Sequence, residues 1–195
     1  MQSRKASNPQ DRRTRYTRQA IKAAMLRLME KKPYSRLTVT EICKAAEINR
    51  GTFYLHYYDV EDVLDDLLND AFSETTSVLD HVLCPNHSSC TYPLCDRIQG
   101  SATYRPLFLD DSVAGKIIEK ISGDYKERFI AHLMAHSQLT YPEAEAVFYF
   151  QINGCLTINR MMLKNRCTDW QTIQYTIDRF LKAGLEALLD GPQSH

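Results

Sequence analysis

The sequence predicts an all-α chain: an N-terminal three-helix helix-turn-helix domain followed by a larger helical bundle. Apolar residues recur at helical spacing in every patterned segment, and the period-two alternation of strands is nearly absent. Helix punctuation stands where those stripes begin and end. Thr38 with Glu41 and Thr168 with Gln171 read as capping boxes, while Pro33, Pro85 and Gly191-Pro192 read as stops.

Taken in order, residues 1–13 are polar and are expected to form a disordered basic tail. Ile21, Ala24, Met25, Leu28 and Met29 define a first helix from about Thr14 to Lys31. A short second helix opens at Thr38 and buries Val39, Ile42, Cys43 and Ala46. Glu47-Ile48-Asn49 breaks it, and Asn49 can cap a third short helix from Arg50 to about His56. Asp59 caps a fourth, whose stripe of Val60, Val63, Leu64, Leu67, Leu68 and Ala71 runs on to Val82. The helix-turn-helix domain is thus expected at 14–58 and the bundle at 59–195. The stretch from Cys84 to Arg105 is the least regular. Three further helices follow: Val113 to His136, one from Pro142 to Lys164, and one from Thr168 to Leu189.

The chain of 195 residues is long enough for one good core, or for a small domain beside a larger one. No apolar stretch approaches the roughly 18 residues of a membrane helix. The basic N-terminus lacks the apolar core of a signal peptide, so the expected location is the cytoplasm, and the six cysteines are expected as reduced thiols. A formal net charge of zero hides a steep asymmetry. Residues 1–36 hold eleven Lys/Arg against Asp11 and Glu30, whereas residues 59–80 hold eight acids and no base. A basic head on an acidic body concentrates positive potential at one end, as binding of a polyanion requires.

Two short helices joined by a tight turn make a helix-turn-helix. Val39, Ile42, Ala46, Ile48 and Phe53 lock the pair together, which leaves Arg50, Thr52, Tyr54 and His56 on the other side of the third helix. Arg can fork onto guanine or phosphate, and Thr, Tyr and His can donate to phosphate oxygens. Gly51 permits close approach of backbone to backbone. An ordinary αα corner in a helical bundle would show the same periodicity; the basic first helix beside it favours the nucleic-acid reading.

The stretch from about Ala20 to Leu68 resembles the TetR family of regulators. The resemblance rests on Leu37-Thr38-Val39-Thr40-Glu41-Ile42, on Ala45-Ala46, on the run Ile48 to Asp59, and on Glu61-Asp62-Val63-Leu64. It implies a recognition helix at Arg50–His56, a helical ligand-binding domain behind it, and a dimer formed through the last two long helices. Contacts to a near-palindromic double-stranded operator carry over to Thr38, Arg50, Gly51, Thr52, Tyr54 and His56. Repression relieved by a small-molecule effector is the mode the resemblance implies. One departure is Val60, where the family usually has a phosphate-touching lysine; Arg12, Arg13 and Arg15 offer a replacement. The run Tyr104 to Asp111 looks like a subgroup feature, and its residues suggest no physical role.

Enzyme motifs are missing. There is no G-x-G-x-x-G, no G-K-[ST] phosphate loop, no G-x-S-x-G, no H-E-x-x-H and no E-x-x-H. A helical protein-interaction module remains the rival class, and it leaves the basic head unexplained. In the bundle, Tyr104, Phe108, Tyr125, Phe129 and Phe148 are candidates for lining an effector pocket, against packing as core. Phe148, Ile152, Leu156, Phe180 and Leu188 are candidates for the dimer interface, with Gly154 marking a close helix crossing. His132 and His136 sit one turn apart, as a metal pair or a solvated edge. Cys84, His87, Cys90 and Cys95 could supply the four ligands of a tetrahedral Zn²⁺ site, or Cys84 and Cys90 a regulatory disulfide, or the segment could be an inert reduced loop.

Overall fold

The computed structural model describes residues 9–72, 100, 102–165 and 169–189, and every regular element among them is helical. They fall into two compact units. The first holds the chain to Ala71 together with Asp110–Ser112; the second holds Phe72–Leu109 and the chain from Val113.

The first unit is built on α1 (Pro9–Met29), α2 (Val39–Ala45), α3 (Arg50–Tyr54) and α4 (Val60–Phe72), whose last residue belongs to the second unit. Helix α1 starts five residues before Thr14, so residues 9–13 are helical rather than part of a disordered tail. Proline at a first helical position explains the earlier start, because its fixed φ suits that turn and its missing N–H is not needed there. Ile21, Ala24 and Met25 of α1, Ile42 of α2, Phe53 of α3 and Val63, Leu64 and Leu67 of α4 are essentially buried and form one core. Both halves of the Thr38–Glu41 capping box are present at the start of α2, and Arg27 donates to the Ala45 carbonyl at its end, 2.8 Å away.

The α2–α3 turn is a Schellman closure. Ile48 N–H donates to Cys43 O at 3.0 Å and Glu47 N–H to Lys44 O at 3.3 Å, with Glu47 at φ 55°. Glycine usually occupies that left-handed position, so Glu47 carries backbone strain. Asn49 then accepts from the Thr52 N–H at 2.7 Å and caps α3.

Polar contacts tie α1 to α4. Lys22, 4% exposed, pairs with Asp66 at 3.2 Å and with Asp70; Asp66 also takes Arg18 at 3.0 Å and accepts from the Tyr57 hydroxyl. Burial opposes ionisation of Asp66, but hydrogen bonds from Tyr57, Arg18 and Lys22 outweigh it and hold its carboxyl below the ordinary value. Burial, then the hydrogen bond to Asp66, pushes the Tyr57 phenol up.

Part of the run Tyr104 to Asp111 has a place here. The Asp110 carboxylate, 9% exposed, accepts from the Tyr34 backbone N–H that opens the 3₁₀ turn Tyr34–Arg36, and from Ser112 N–H and Oγ.

The second unit contains α5 (Arg105–Leu109), α6 (Ala114–His136), α7 (Tyr141–Asn165) and α8 (Trp170–Leu189). The sequence did not announce α5, a single turn whose Leu107 and Phe108 are buried, with Phe108 edge-on to Phe72 at 6.0 Å. Arg105 donates to the Leu163 carbonyl at 2.9 Å and so satisfies the last turn of α7. Helices α6 and α7 pack together through Phe129 and Phe148, 5.5 Å apart, and through Lys126 and Glu145 at 3.1 Å. One half of a capping box starts α7: Glu143 accepts from the Thr140 N–H and hydroxyl. The Thr168 box, the fourth helix beyond Phe72, and Cys84, His87, Cys90 and Cys95 lie outside the described residues.

Candidate nucleic-acid interface

Helix α3 is two-sided. Phe53 is fully buried and pinned edge-on to Tyr54 at 5.5 Å, while Arg50, Gly51 and Tyr54 face water and Thr52 and His56 are half-buried. The helix ends at Tyr54; His56 lies in the turn that follows, its N–H bonded to Phe53 O at 2.9 Å. Arg50 and Tyr54, one turn apart, touch: the guanidinium donates to the phenol oxygen at 3.0 Å, which with the phenol's partial charge raises the arginine pKa. That bond preorganises two donors on one face while leaving most of the guanidinium fork open. A Cβ at Gly51 would meet the Asn49 capping oxygen at 3.3 Å, so glycine spares the cap as well as the backbone approach.

Thr38 stands exposed at the start of α2. Its hydroxyl donates to Glu41 at 2.7 Å, and Glu41 is in turn held by Lys32 at 2.6 Å. The Lys32 hydrogen bond, with that of Thr38, keeps the Glu41 carboxyl below its ordinary value. Leu55 and Tyr58, 81% and 84% exposed, were not singled out from the sequence. Large apolar side chains bared beside α3 show themselves only once burial is known. Val60, the first residue of α4, is half-buried.

Residues 21–67 match the family model of bacterial regulatory proteins, tetR family. Residues 21–67 form a TetR-family domain. Over 80 residues the chain is 34% identical to an uncharacterised HTH-type transcriptional regulator, YxbF, of Bacillus subtilis. That stretch is 40% of this chain, and the chain spans about a fifth (21%) of that relative's length. Beyond the TetR-family domain the likeness is one of fold. The structure of the fatty acid degradation regulator FadR from Bacillus halodurans superposes with a TM-score of 0.63, covering 93% of this chain and 98% of that one at 16% identity.

The bundle residues divide differently from expectation. Phe148, Ile152 and Leu156 are buried within the single chain, 5–8% exposed, so these three belong to the core and not to a free interface face. Packing against α6 accounts for Phe148, which meets Phe129. The exposed apolar face of α7 is instead Phe150, Gly154, Thr157 and Met161, and that of α8 is Thr176, Phe180, Ala183 and Ala187. Leu188 is half-buried. Of the pocket candidates, Phe108, Tyr125, Phe129 and Phe148 are buried and Tyr104 half-buried, with the ring contacts already given. His136 Nδ1 donates to the His132 carbonyl at 2.9 Å, which occupies one nitrogen of the pair. Among the described residues no group of three His, Cys, Asp or Glu is arranged to hold a metal, and no helix is long and apolar enough to cross a membrane.

Proposed function

We propose that the chain is a homodimeric, sequence-specific DNA-binding transcriptional regulator that reads a near-palindromic operator with α3. The observation that carries this is the two-sidedness of α3 within a TetR-family domain. Its buried Phe53 fixes the helix, and its Arg50–Tyr54 pair stands free to enter a major groove. Thr38, Thr52 and His56 supply phosphate contacts around it.

Dimerisation is assigned to α7 and α8. Their exposed faces, Phe150–Gly154–Thr157–Met161 and Thr176–Phe180–Ala183–Ala187, repeat the same i, i+4, i+7, i+11 spacing. Gly154 and Gly184 have nothing within 4 Å of an added Cβ, so the protomer itself has no need of glycine at either place. A second copy lying close against these faces would use that room, and two-fold symmetry would match the two half-sites of a palindrome. Tyr104, Phe108, Tyr125, Phe129 and Phe148 are the aromatic residues proposed to meet an effector in the second unit. Its release of the DNA, giving derepression, is the regulatory mode proposed.

Selection of binding sites from a random double-stranded pool tests the reading. A two-fold consensus with half-sites about one helical turn, or a multiple of it, apart supports it. A pool that never enriches a sequence, while salt-sensitive binding persists, contradicts it.

A further inference from the structure

We propose that the N-terminal turns of α1, carrying Arg12, Arg13, Arg15 and Tyr16, form a second DNA contact along the phosphate backbone outside the half-site read by α3. The proposal rests on the DNA-binding reading above and extends it to residues outside the helix-turn-helix.

The TetR-family match begins at residue 21, whereas α1 begins at Pro9. At 1.5 Å per residue, α1 therefore runs on for about 18 Å before the matched domain. That stretch is not held by a core: the buried side chains of α1 start at Ile21, while residues 12–16 are all exposed and Tyr16 is 79% exposed. A helix of this kind gains little from burial, and packing is what normally stabilises helices in proteins.

Charge makes the case sharper. Asp11 is the only acid in the first 29 residues. Among the described residues Arg12, Arg13 and Arg15 have no carboxylate partner, whereas the next two cations, Arg18 and Lys22, are paired with Asp66 and Asp70. Arg12, in the first turn of α1, also lies at the positive end of the helix dipole, where a cation is disfavoured and an anion is attracted. Arg12, Arg13, Arg15, Tyr16 and Gln19 line one open concavity on the surface.

Position points the arm at DNA. Arg18 lies over the Tyr57 ring, 5.1 Å from its centre, and Tyr57 is three residues beyond the end of α3. Arg15 precedes Arg18 by three residues and neighbours it on α1, about 4.5 Å farther out; Arg12, about 9 Å out, lies about a third of a turn around the helix, beside Tyr16. Nine ångströms is about the rise of three base pairs at 3.4 Å each. The exposed arginines thus wrap the end of the helix that Arg18 ties to Tyr57, over a length sufficient to cover flanking phosphates. Tyr16 adds a donor of the kind that bonds phosphate oxygens.

The test uses the full chain, its selected operator, and two triple variants: Arg12→Ala/Arg13→Ala/Arg15→Ala and the same three positions to Lys. The expected result for the alanine variant is a log K against log salt slope shallower by about 2–3 per subunit. Its hydroxyl-radical footprint should be shorter by about three base pairs at each outer flank. The lysine variant should restore the slope, and all three proteins should share one thermal midpoint because the side chains are exposed. An unchanged slope and footprint in the alanine variant would overturn the proposal. So would wild-type binding to anionic phospholipid vesicles that the alanine variant loses while operator binding is untouched. Failure of the wild type to prefer any sequence would overturn the DNA-binding reading itself, and this proposal with it.

Discussion

The two units use polar and apolar groups in opposite ways. In the first, polar side chains fix the geometry: a capping box at Thr38, an Asn49 cap, a Schellman closure at Glu47, and Lys22 between Asp66 and Asp70. Short helices gain little from length, so each terminus must be closed individually. In the second unit, long helices are held by apolar packing, and the unspent apolar surface lies outward on Phe150, Met161 and Phe180. A reading head needs atomic placement of a few donors; a platform needs area. The comparison predicts that the first unit fails through its polar bonds and the second through its exposed faces.

The largest effect is expected in the second unit. Phe180→Asp removes no core contact of the protomer, since Phe180 is 65% exposed, but it places a charge in the proposed dimer interface. Burial of an unpaired charge should weaken dimerisation by about 3 kcal/mol or more, over a hundredfold. Sedimentation should show monomers at micromolar concentration and operator binding should collapse. A Phe180→Asp dimer as tight as wild type would remove the face from the interface.

In the first unit, Lys22→Ala leaves Asp66 and Asp70 facing each other without their buried cation. The expected loss is roughly 2–3 kcal/mol by denaturant titration, below the 3–5 kcal/mol of a fully buried pair because Asp70 keeps contact with water. The same network sets an acid limit. Asp66 has a depressed carboxyl pKa, so its contribution is complete above the unfolded value near 4 and is lost as pH falls through the lower folded value. Asp66→Asn should therefore flatten the pH dependence of stability below about pH 4, whereas a parallel curve would show that the depression is not coupled to folding.

A smaller effect, of opposite sign, belongs to the turn. Glu47→Gly relieves the left-handed φ of 55° and should stabilise the first unit by about 1 kcal/mol in thermal melts. A destabilised glycine variant would mean that the Glu47 side chain contributes more than its backbone costs.

How much was legible follows the same division. Caps and turns are local, so Thr38 with Glu41, Asn49 and Asp59 announced α2, α3 and α4 at their observed starts. The side chains placed on the open face of α3 did not depend on anything distant. In the bundle, periodicity located α6, α7 and α8 but could not say which apolar residue faces its own protomer. Phe148, Ile152 and Leu156 look like Phe150 and Met161 in sequence, and only burial within the protomer separates them. The start of α1 was missed because its first turns carry no apolar stripe. The one-turn α5 and the Asp110 contact were missed because they depend on partners 58 and 76 residues away.

The central claim is that Arg50 on α3 reads a base, and the direct measurement is a binding titration of Arg50→Ala. It uses the selected operator and a set of operators changed at one base pair in each half-site. The account predicts about a ten- to hundredfold loss on the consensus, with preference relaxed at a single position per half-site and kept at the others. An Arg50→Ala protein that binds the consensus as wild type does, with base preference intact at every position, would contradict it.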